Sequence, residues 1–276
     1  MKIRPWLAGA AGVTAAILGF GTSASAATHH PARWSPMSFA AGHLHTAGVT
    51  PGTAYYGNWA AYVALAHKNV ALRYVAADFN IPSLNCAGAA PNATVALFVG
   101  FQGWSAPGEL TGLQGTCNSD GTYSYQGFYE ISTGPAVASP VTVNPGDAIQ
   151  ASVYYNASTR QYTFYLNDVT EATVLFNTPV SCPSGSSCST TTAEAVTDDL
   201  YDVSAKQNFP LANYGMVNFT GGAVTSRDGL KGGFGSSTLW TSAESIIRNS
   251  STGAILATPS SLEGGSAFST TWHAAS

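Results

Sequence analysis

Apolar and polar residues alternate in short runs along most of the chain, and this period of two predicts β-strands. In Asp147–Tyr155, DAIQASVYY, the apolar Ile149 and Val153 alternate with polar residues. Comparable runs recur about every ten to fifteen residues, and no stretch carries a convincing helical period. The predicted strands are Tyr56–Leu65, Val70–Ile81, Thr94–Gln102, Thr122–Ile131, Asp147–Tyr155, Gln161–Leu166, Thr173–Phe176, Thr191–Val196, Tyr214–Phe219, Ser237–Arg248, Ala254–Thr258 and Ala267–Trp272.

Within the stretch Ala96–Ile131, the predicted strands Thr94–Gln102 and Thr122–Ile131 are joined by residues rich in Gly, Pro, Asn and Ser, which we interpret as a surface loop. Gln114 lies in that loop, and Cys117 follows three residues later and could fix it. A fixed glutamine offers a donor and an acceptor without charge, so it can hold a water molecule and polarise a carbonyl oxygen. Until a partner is found, an ordinary solvated amide is the simpler interpretation of Gln114.

Regular strands with turn signals between them, and without β-α-β spacing, are typical of an antiparallel sandwich. We find no internal repeat and no second domain boundary. The sequence therefore predicts one all-β, antiparallel β-sandwich domain over residues 54–276. Ser242–Arg248 is a predicted strand segment that could also form a helical turn.

The amino-terminal part has a different composition. Residues 1–26 contain two basic residues, an apolar run and a closing Ala24-Ser25-Ala26, which is typical of a cleaved secretory signal peptide. Residues 27–53 show no sustained period and predict a flexible leader or pro-segment. Beyond them no apolar run reaches the roughly 18 residues of a membrane span. We therefore expect a secreted, extracellular protein with no membrane partner.

Charge is scarce in this chain. Only 9% of residues are charged, with 10 Lys and Arg against 14 Asp and Glu, for a net charge of −4. This balance offers no basic footprint for nucleic acid. Few surface carboxylates limit self-repulsion when the pH changes, which suits an acidic medium, although polar surfaces are also common in exported β proteins.

Four cysteines form an even set, which indicates disulfides in an oxidising compartment. Three pairings are possible. Cys86–Cys117 with Cys182–Cys188 is favoured, because each pair flanks a connection between predicted strands. A zinc site is the alternative, but no Cys-x-x-Cys pair or spaced histidine ligands accompany these residues. We expect neither a metal nor a cofactor.

Since charged residues are rare, a glutamate inside a strand pattern is informative. Glu194 lies in TTAEAVTDDL between Ala193 and Ala195, whose small side chains leave space around its carboxylate. On a concave, partly apolar sheet face, desolvation would raise the pKa of such a carboxylate and let it take a proton from water and return it to a leaving group. An exposed strand glutamate is the alternative interpretation.

Signatures of other hydrolytic mechanisms are missing from the sequence. It contains no Gly-x-Ser-x-Gly, no Asp-Thr-Gly or Asp-Ser-Gly, and no His-Glu-x-x-His. Serine and metal mechanisms therefore lack residues to carry them.

Seven short motifs occur in a specific order along the chain. They are Asn58-Trp59-Ala60, Phe98-Val99-Gly100-Phe101-Gln102-Gly103, Leu113-Gln114-Gly115, Tyr129-Glu130, Val143-x-Pro145-Gly146-Asp147, Ala193-Glu194 and Val217-Asn218-Phe219-Thr220. No single motif is specific, but the ordered set resembles the eqolisins, the glutamic peptidases. The resemblance covers about Tyr56 to Ala223.

This resemblance implies a lectin-like jelly roll of two antiparallel sheets of roughly seven strands each, and an acid-acting endopeptidase. It also implies a catalytic dyad in which Gln114 is the glutamine and Glu194 the glutamate. We expect a monomer that acts on polypeptide substrates. The residues expected to line the substrate cleft, of which the aromatic ones could instead be core residues, are Trp59, Phe98, Phe128 and Glu130.

The chain also departs from the eqolisin pattern. Acids and tryptophans of that pattern are replaced by Phe98, Gln102, Asn118, Gln126, Phe128 and Ala195. Fewer neighbouring carboxylates mean less like-charge repulsion, so Glu194 should ionise at a lower pH than in a typical relative. In Gln102→Asp, the acid limb of kcat/KM should accordingly move to higher pH.

Two other functions remain open from the sequence. The first is a non-catalytic, lectin-like module that presents aromatic side chains to polysaccharide or peptide. The second is a glycosidase built on Glu130 and Glu194, which would require carboxylates about 5–9.5 Å apart across a groove.

Overall fold

The computed structural model describes residues 54–101, 108–131, 134–184, 188, 190–202 and 207–275. The predicted signal peptide 1–26 and leader 27–53 lie outside these residues, and so does Gln102. The described residues form eighteen strands: β1 (Ala54–Gly57), β2 (Trp59–Ala66), β3 (Leu72–Asn80), β4 (Thr94–Phe101), β5 (Glu109–Cys117), β6 (Tyr123–Ile131), β7 (Val137–Thr142), β8 (Ala148–Asn156), β9 (Gln161–Asp168), β10 (Thr173–Ser181), β11 (Thr192–Asp198), β12 (Tyr201–Asp202), β13 (Gln207–Asn208), β14 (Met216–Ser226), β15 (Lys231–Gly232), β16 (Trp240–Arg248), β17 (Ile255–Pro259) and β18 (Phe268–Trp272).

Sixteen of these strands belong to one continuous sheet. Its strands follow the order β10-β9-β8-β3-β14-β18-β17-β16-β2-β11-β4-β5-β6-β7, with β15 paired to β14 and β1 paired in parallel to β16. β12 and β13 form a separate two-stranded sheet. The large sheet folds over on itself, so that β4 and β5 lie against β8 and β9, and the terminal strands β7 and β10 lie beside each other.

The predicted all-β, antiparallel class is confirmed, but the two separate seven-stranded sheets need correction. The layers are joined because β17 hydrogen-bonds to β16 on one side and to β18 on the other. An alternating pattern shows which face of a strand is buried, but it does not show which neighbours continue the hydrogen-bonded ladder. The segment Ser242–Arg248 lies in strand β16 and does not form a helical turn.

Gln114 lies in the middle of a strand, whereas the sequence predicted a loop. Strand β5 pairs along its length with β4 and β6, and nearly all its residues are buried. A central strand covered on both faces needs no alternation of apolar and polar residues. The composition of β5, ELTGLQGTC, combines residues common in turns with residues common in strands, so neither period nor propensity revealed it. Strand β7 was also missed.

The main hydrophobic core fills the space between the two layers. Leu97 and Leu113 contribute to it from one layer, and Phe164 and Phe219 from the other. Each such fully buried side chain stabilises the fold by about 1.5–3 kcal/mol. A second cluster of buried residues lies on the opposite face of β2, β11, β4, β5 and β6. This second face carries the candidate site.

The predicted disulfides are both confirmed. Cys86 bonds to Cys117 with a Cα–Cα distance of 5.5 Å, and Cys182 bonds to Cys188 with a Cα–Cα distance of 6.1 Å. The first disulfide ties the end of β5 to the connection that follows β3. Within the described ranges, no helix has the length and apolar character needed to cross a membrane.

Candidate active site

The second face of the sheet collects the polar side chains that the sequence singled out. Because side chains alternate between the two faces of a strand, residues two apart lie on one face. The register between β11, β4, β5 and β6 arranges this face in three transverse rows. The first row is Glu194, Gly100, Leu110 and Glu130, the second is Val196, Phe98, Gly112 and Phe128, and the third is Asp198, Ala96, Gln114 and Gln126.

Glu194 in the first row is a buried carboxyl group. Its side chain is 0% exposed, and neither carboxyl oxygen has a hydrogen-bond partner in the described part of the chain. Burial raises the pKa of Glu194 well above its ordinary value of 4.5, and the charge of Glu109 adds to the rise. The Thr192 hydroxyl opposes the rise by favouring the charged form, without completing a hydrogen bond. Glu194 is therefore poised to hold a proton.

Gln114 lies on the same face as Glu194, in the third row. It is 5% exposed, and its Nε2 donates to the Thr116 hydroxyl at 3.2 Å. Glu194 and Gln114 are two strands apart and four residues out of register, which corresponds to about 13 Å along the strands and about 10 Å across them. Phe98 lies between them on the diagonal. The structure thus places the two polar groups on opposite sides of one phenyl ring.

Asp198 is a buried carboxyl group on this face that the sequence analysis did not single out. It ends β11, is 2% exposed, and accepts a hydrogen bond from Asn58 Nδ2 at 2.8 Å. Burial, followed by the like charge of Asp199, raises the pKa of Asp198 well above its ordinary value. Asn58 opposes the rise, as does the Trp59 indole, whose N–H lies near without completing a hydrogen bond. The period of two from Glu194 could have placed Asp198 on this face.

The residues predicted to line the cleft all lie on or beside this face. Trp59 pairs with Asp198 in the register of β2 and β11, and its ring meets the Phe98 ring edge-on with centroids 6.2 Å apart. Phe128 follows Phe98 in the second row, beyond Gly112. Glu130 closes the first row and is three strands from Glu194, so their Cα atoms lie about 14 Å apart.

Two apolar residues beside strands β12 and β13 pack against this face. Leu200 and Phe209, which flank the β12–β13 hairpin, pack against the second cluster. Their backbones are joined by a hydrogen bond of 2.8 Å from the Phe209 N–H to the Leu200 carbonyl. Asn208 Nδ2 also donates to Asp199 Oδ2 at 2.9 Å. As a result Trp59 and Phe98 are both almost fully buried.

Gly112 lets β4 and β5 approach closely under the second row. A Cβ atom at this position would collide with the Leu97 carbonyl oxygen, and it would lie 2.6 Å from the Phe98 Cα. Real side chains do not tolerate such distances, so a glycine is needed here for steric reasons.

The replaced positions are spread over the fold. Gln126 lies in the third row beside Gln114, and its Nε2 donates to the Ser139 carbonyl at 3.1 Å. Asn118 lies in the turn after β5, where it donates to the Thr122 hydroxyl at 3.0 Å. Ala195 points into the main core. The predicted effect of these positions on the ionisation of Glu194 stays a prediction.

The arrangement combines carboxyl groups that can exchange protons with an amide that can donate to an oxyanion, beside apolar side chains that exclude water. Those groups suit hydrolysis of a carbonyl compound by a water molecule. No cluster of three or more His, Cys, Asp or Glu side chains suitable for a metal ion occurs in the ranges that the structure describes.

Comparison with known proteins gives one family and several related structures. The sequence model of the Peptidase A4 family matches residues 57–272. Scytalido-glutamic peptidase with a transition-state analogue inhibitor is similar in structure, with a TM-score of 0.61 and 22% identity over 78% of this chain and 98% of that chain. An eqolisin-family peptidase in complex with the tripeptide Ala-Ile-His gives the same values.

Aspergilloglutamic peptidase from Aspergillus niger is also similar, with a TM-score of 0.53 and 24% identity over 66% of this chain and 99% of that chain. No curated protein sequence gives a significant match. At these identities the structural likeness shows the fold, and the family match over residues 57–272 carries the assignment.

Proposed function

Since the chain belongs to the Peptidase A4 family, the eqolisins, and is therefore a glutamic endopeptidase, we propose that it is a secreted enzyme that cleaves polypeptides in acid through Gln114 and Glu194. Glu194, as the carboxylate, takes a proton from a water molecule that attacks the peptide carbonyl. The Gln114 amide donates to the oxyanion that develops on the carbonyl oxygen. Departure of the amine requires a proton, which the Glu194 carboxyl then holds.

The state of Glu194 is the observation that carries this proposal. A fully buried carboxyl group with no hydrogen-bond partner in the described residues costs stability, because it gives up solvation and gains no bond in return. Such a group is expected where the chemistry needs a base that readily exchanges a proton. Gln114 on the same face supplies the neutral donor, and Phe98 separates the two as an apolar floor.

Stability of the folded protein in acid is supported by three buried carboxyl groups whose pKa values are all raised, those of Glu194, Asp198 and Asp199. A folded state with raised carboxyl pKa values binds more protons than the unfolded state. Its stability is therefore complete below the ordinary carboxyl pKa values and decreases as the pH rises through the raised ones. The confirmed disulfides and the predicted signal peptide support secretion.

The test compares the wild-type protein with Glu194→Gln, which removes the charge and preserves the volume. Denatured casein is incubated with each protein between pH 3 and pH 7, and fragments are quantified. Wild type should produce fragments, and Glu194→Gln should be slower by at least about 100-fold, because general-base catalysis contributes roughly 10²–10⁴. Glu171→Gln, in the exposed turn after β9, is the matched control and should cleave like wild type.

Two results would contradict the proposal. A folded Glu194→Gln protein that cleaved casein at the wild-type rate would exclude Glu194 as the base. A folded wild-type protein that bound casein or polysaccharide without producing fragments at any pH would favour the lectin-like alternative. Near-ultraviolet circular dichroism establishes folding in each case.

A further inference from the structure

The layer formed by β14, β3, β8 and β9 has an outward face of its own, on the side of the main core opposite to the candidate site. Val75, Val153 and Phe164 point from this layer into the core, so the residues that alternate with them point outward. The outward residues form three rows, of which the first is Thr225, Tyr74, Tyr154 and Thr163, the second is Ala223, Ala76, Ser152 and Tyr165, and the third is Thr220, Asp78, Gln150 and Asn167. We call this surface the tyrosine face. All its residues except Thr225 are exposed or half-buried.

Three tyrosines lie close together on this face. Tyr74 and Tyr154 are directly opposite each other on adjacent strands, with Cβ atoms about 4.5–5.5 Å apart, and Tyr165 is the diagonal neighbour of Tyr154 at about 7–8 Å. Tyr154 is 39% exposed. Within the described residues, none of the three rings contacts another aromatic ring and none of the three hydroxyl groups forms a hydrogen bond. By contrast, the hydroxyl groups of Tyr62 and Tyr125 both donate to backbone carbonyls. The three tyrosines therefore keep their contact surface and their polar tips for a ligand.

Polar side chains form the other side of the tyrosine face. Gln150 is exposed and Asn167 is half-buried, and the amide of each can both donate and accept hydrogen bonds. Asp78 beside Gln150 is an acceptor when ionised. Gly221 has a φ of +62°, and a Cβ atom there would lie 3.0 Å from Asp78 Oδ2, so the carboxylate rests against the β14 backbone. The small residues Ala76 and Ser152 lie between this polar row and the tyrosine pair.

This combination of groups matches the surface of a sugar. A pyranose ring has apolar C–H faces, which can stack on an aromatic ring, and hydroxyl groups around its edge that both donate and accept. Aromatic side chains together with a few placed polar groups are what a binding site for such a ligand requires. A sugar that lay over Ala76 and Ser152 would meet phenol rings on one side and amide and carboxylate groups on the other.

Charge and hydrogen-bonding capacity narrow the choice of ligand. Asp78 is the only charged residue in the three rows, so the tyrosine face has no cation to hold an anionic polysaccharide and one anion to repel it. A proline-rich peptide also binds aromatic surfaces. Its free backbone groups, however, are mainly carbonyl acceptors, to which the Asp78 carboxylate cannot bond.

The spacing of the tyrosines favours a chain of sugars over a single one. Tyr74 and Tyr165 are two strands and two residues apart, which corresponds to about 12 Å. A polysaccharide that runs along this diagonal can stack more than one ring only if it is extended. A β-1,4 linkage gives such an extended, ribbon-like chain.

We propose that the tyrosine face binds an extended, neutral, β-1,4-linked polysaccharide chain. This binding goes beyond the proposed peptidase function and does not depend on it. Because the two faces belong to opposite layers, a molecule held to a polysaccharide matrix through the tyrosine face keeps its candidate active site open to other ligands.

The test is affinity electrophoresis of the whole protein in native gels that contain hydroxyethylcellulose or glucomannan. At least one of these neutral polysaccharides should retard the wild-type protein, and carboxymethylcellulose, which adds carboxylates to a β-1,4-linked chain, should retard it less. Tyr74→Ala combined with Tyr154→Ala should weaken binding by at least about tenfold, as is typical when aromatic contact residues are truncated. Tyr154→Phe retains the ring and should stay within about threefold of wild type.

Tyr123→Ala is the matched control, because Tyr123 is a half-buried tyrosine of β6, in the other layer, whose ring contacts Tyr125. It should be retarded like wild type. Casein cleavage should be the same in wild type and in the Tyr74 and Tyr154 variants, since these residues lie outside the candidate active site. Cooperative urea unfolding establishes that each variant is folded.

The outcomes separate this inference from the proposed function. If neither neutral polysaccharide retards wild type, if poly-L-proline binds in their place, or if the folded double variant binds like wild type, the inference is overturned and the peptidase function is untouched. Equal or stronger retardation by carboxymethylcellulose would also overturn it. If wild type is retarded but cleaves no casein, the inference stands and the peptidase function fails. Should the double variant not fold, Gln150→Ala at its exposed position should weaken binding by about threefold or more, and unchanged binding in that variant would overturn the inference.

Discussion

Replacing Asp199 by asparagine should change how the stability of the protein depends on pH. Burial raises the pKa of Asp199 from its ordinary 3.8 to about 7, with the Asn208 donor acting in the opposite direction. Between these values the folded state holds a proton that the unfolded state has lost. This stabilising contribution is complete below pH 3.8 and disappears as the pH rises to about 7. At about 1.4 kcal/mol per pKa unit, it amounts to about 4 kcal/mol.

Urea unfolding at 25 °C, at several values between pH 4 and pH 7.5, measures the effect. At pH 4 the variant and wild type should have similar free energies of unfolding, since asparagine can accept the Asn208 hydrogen bond much as the protonated acid does. At pH 7.5 the variant should be the more stable by up to about 4 kcal/mol. Relief of the repulsion on Asp198 acts in the same direction.

Asp120→Asn provides the control, because Asp120 is exposed and hydrogen bonds from Thr122 lower its pKa. Its stabilising contribution decreases as the pH falls, so any effect of this substitution should have the opposite pH dependence. If the difference between Asp199→Asn and wild type were the same at pH 4 and at pH 7.5, Asp199 would not be a buried, protonated carboxyl group.

Three further predictions concern covalent links, close packing and the apolar floor of the site. Replacing both cysteines of Cys86–Cys117 with serine should lower the free energy of unfolding by about 4 kcal/mol, and the same change at Cys182–Cys188 should lower it by about 2 kcal/mol. The difference is expected because the two disulfides span 31 and 6 residues of sequence. Equal losses in urea unfolding would contradict this prediction. Gly112→Ala should destabilise the protein by about 3 kcal/mol or more, since the new methyl group meets backbone, and a melting temperature within about 2 °C of wild type would refute the close approach. Phe98→Leu should lower the unfolding free energy by about 1–2 kcal/mol but kcat/KM by about tenfold or more, and unchanged peptide cleavage would show that the ring does not position Gln114 and Glu194.

Strand positions were predictable from sequence where one face of a strand meets the core and the other meets solvent. β8 and β9 alternate between buried and exposed or half-buried positions, and both were found. β5 was not, because it is buried on both faces and carries two glycines needed for close packing. The information that makes β5 a strand lies in β4 and β6, which are its neighbours in space.

The residues of the candidate site were likewise only partly predictable from the sequence. Glu194 and Gln114 could be selected from residue chemistry and from the ordered motifs, and the structure places both on one face. Asp198 could not be placed beside them, because its position opposite Gln114 across Ala96 depends on the register of three strands. Register is fixed by pairing between distant segments, and a shift of one residue would have turned Asp198 to the other face.

The folded-over sheet affects how readily one molecule of the enzyme can be cleaved by another. Peptidases bind extended chains, and the exposed edge of a sheet is the part of a folded protein that most resembles one. The two edge strands of the large sheet are β10 and β7, and they lie beside each other. Each carries an exposed proline, Pro179 and Pro140, which has no N–H to donate to an added strand. The edges of the enzyme are therefore poor substrates for a neighbouring copy, which favours resistance to autolysis.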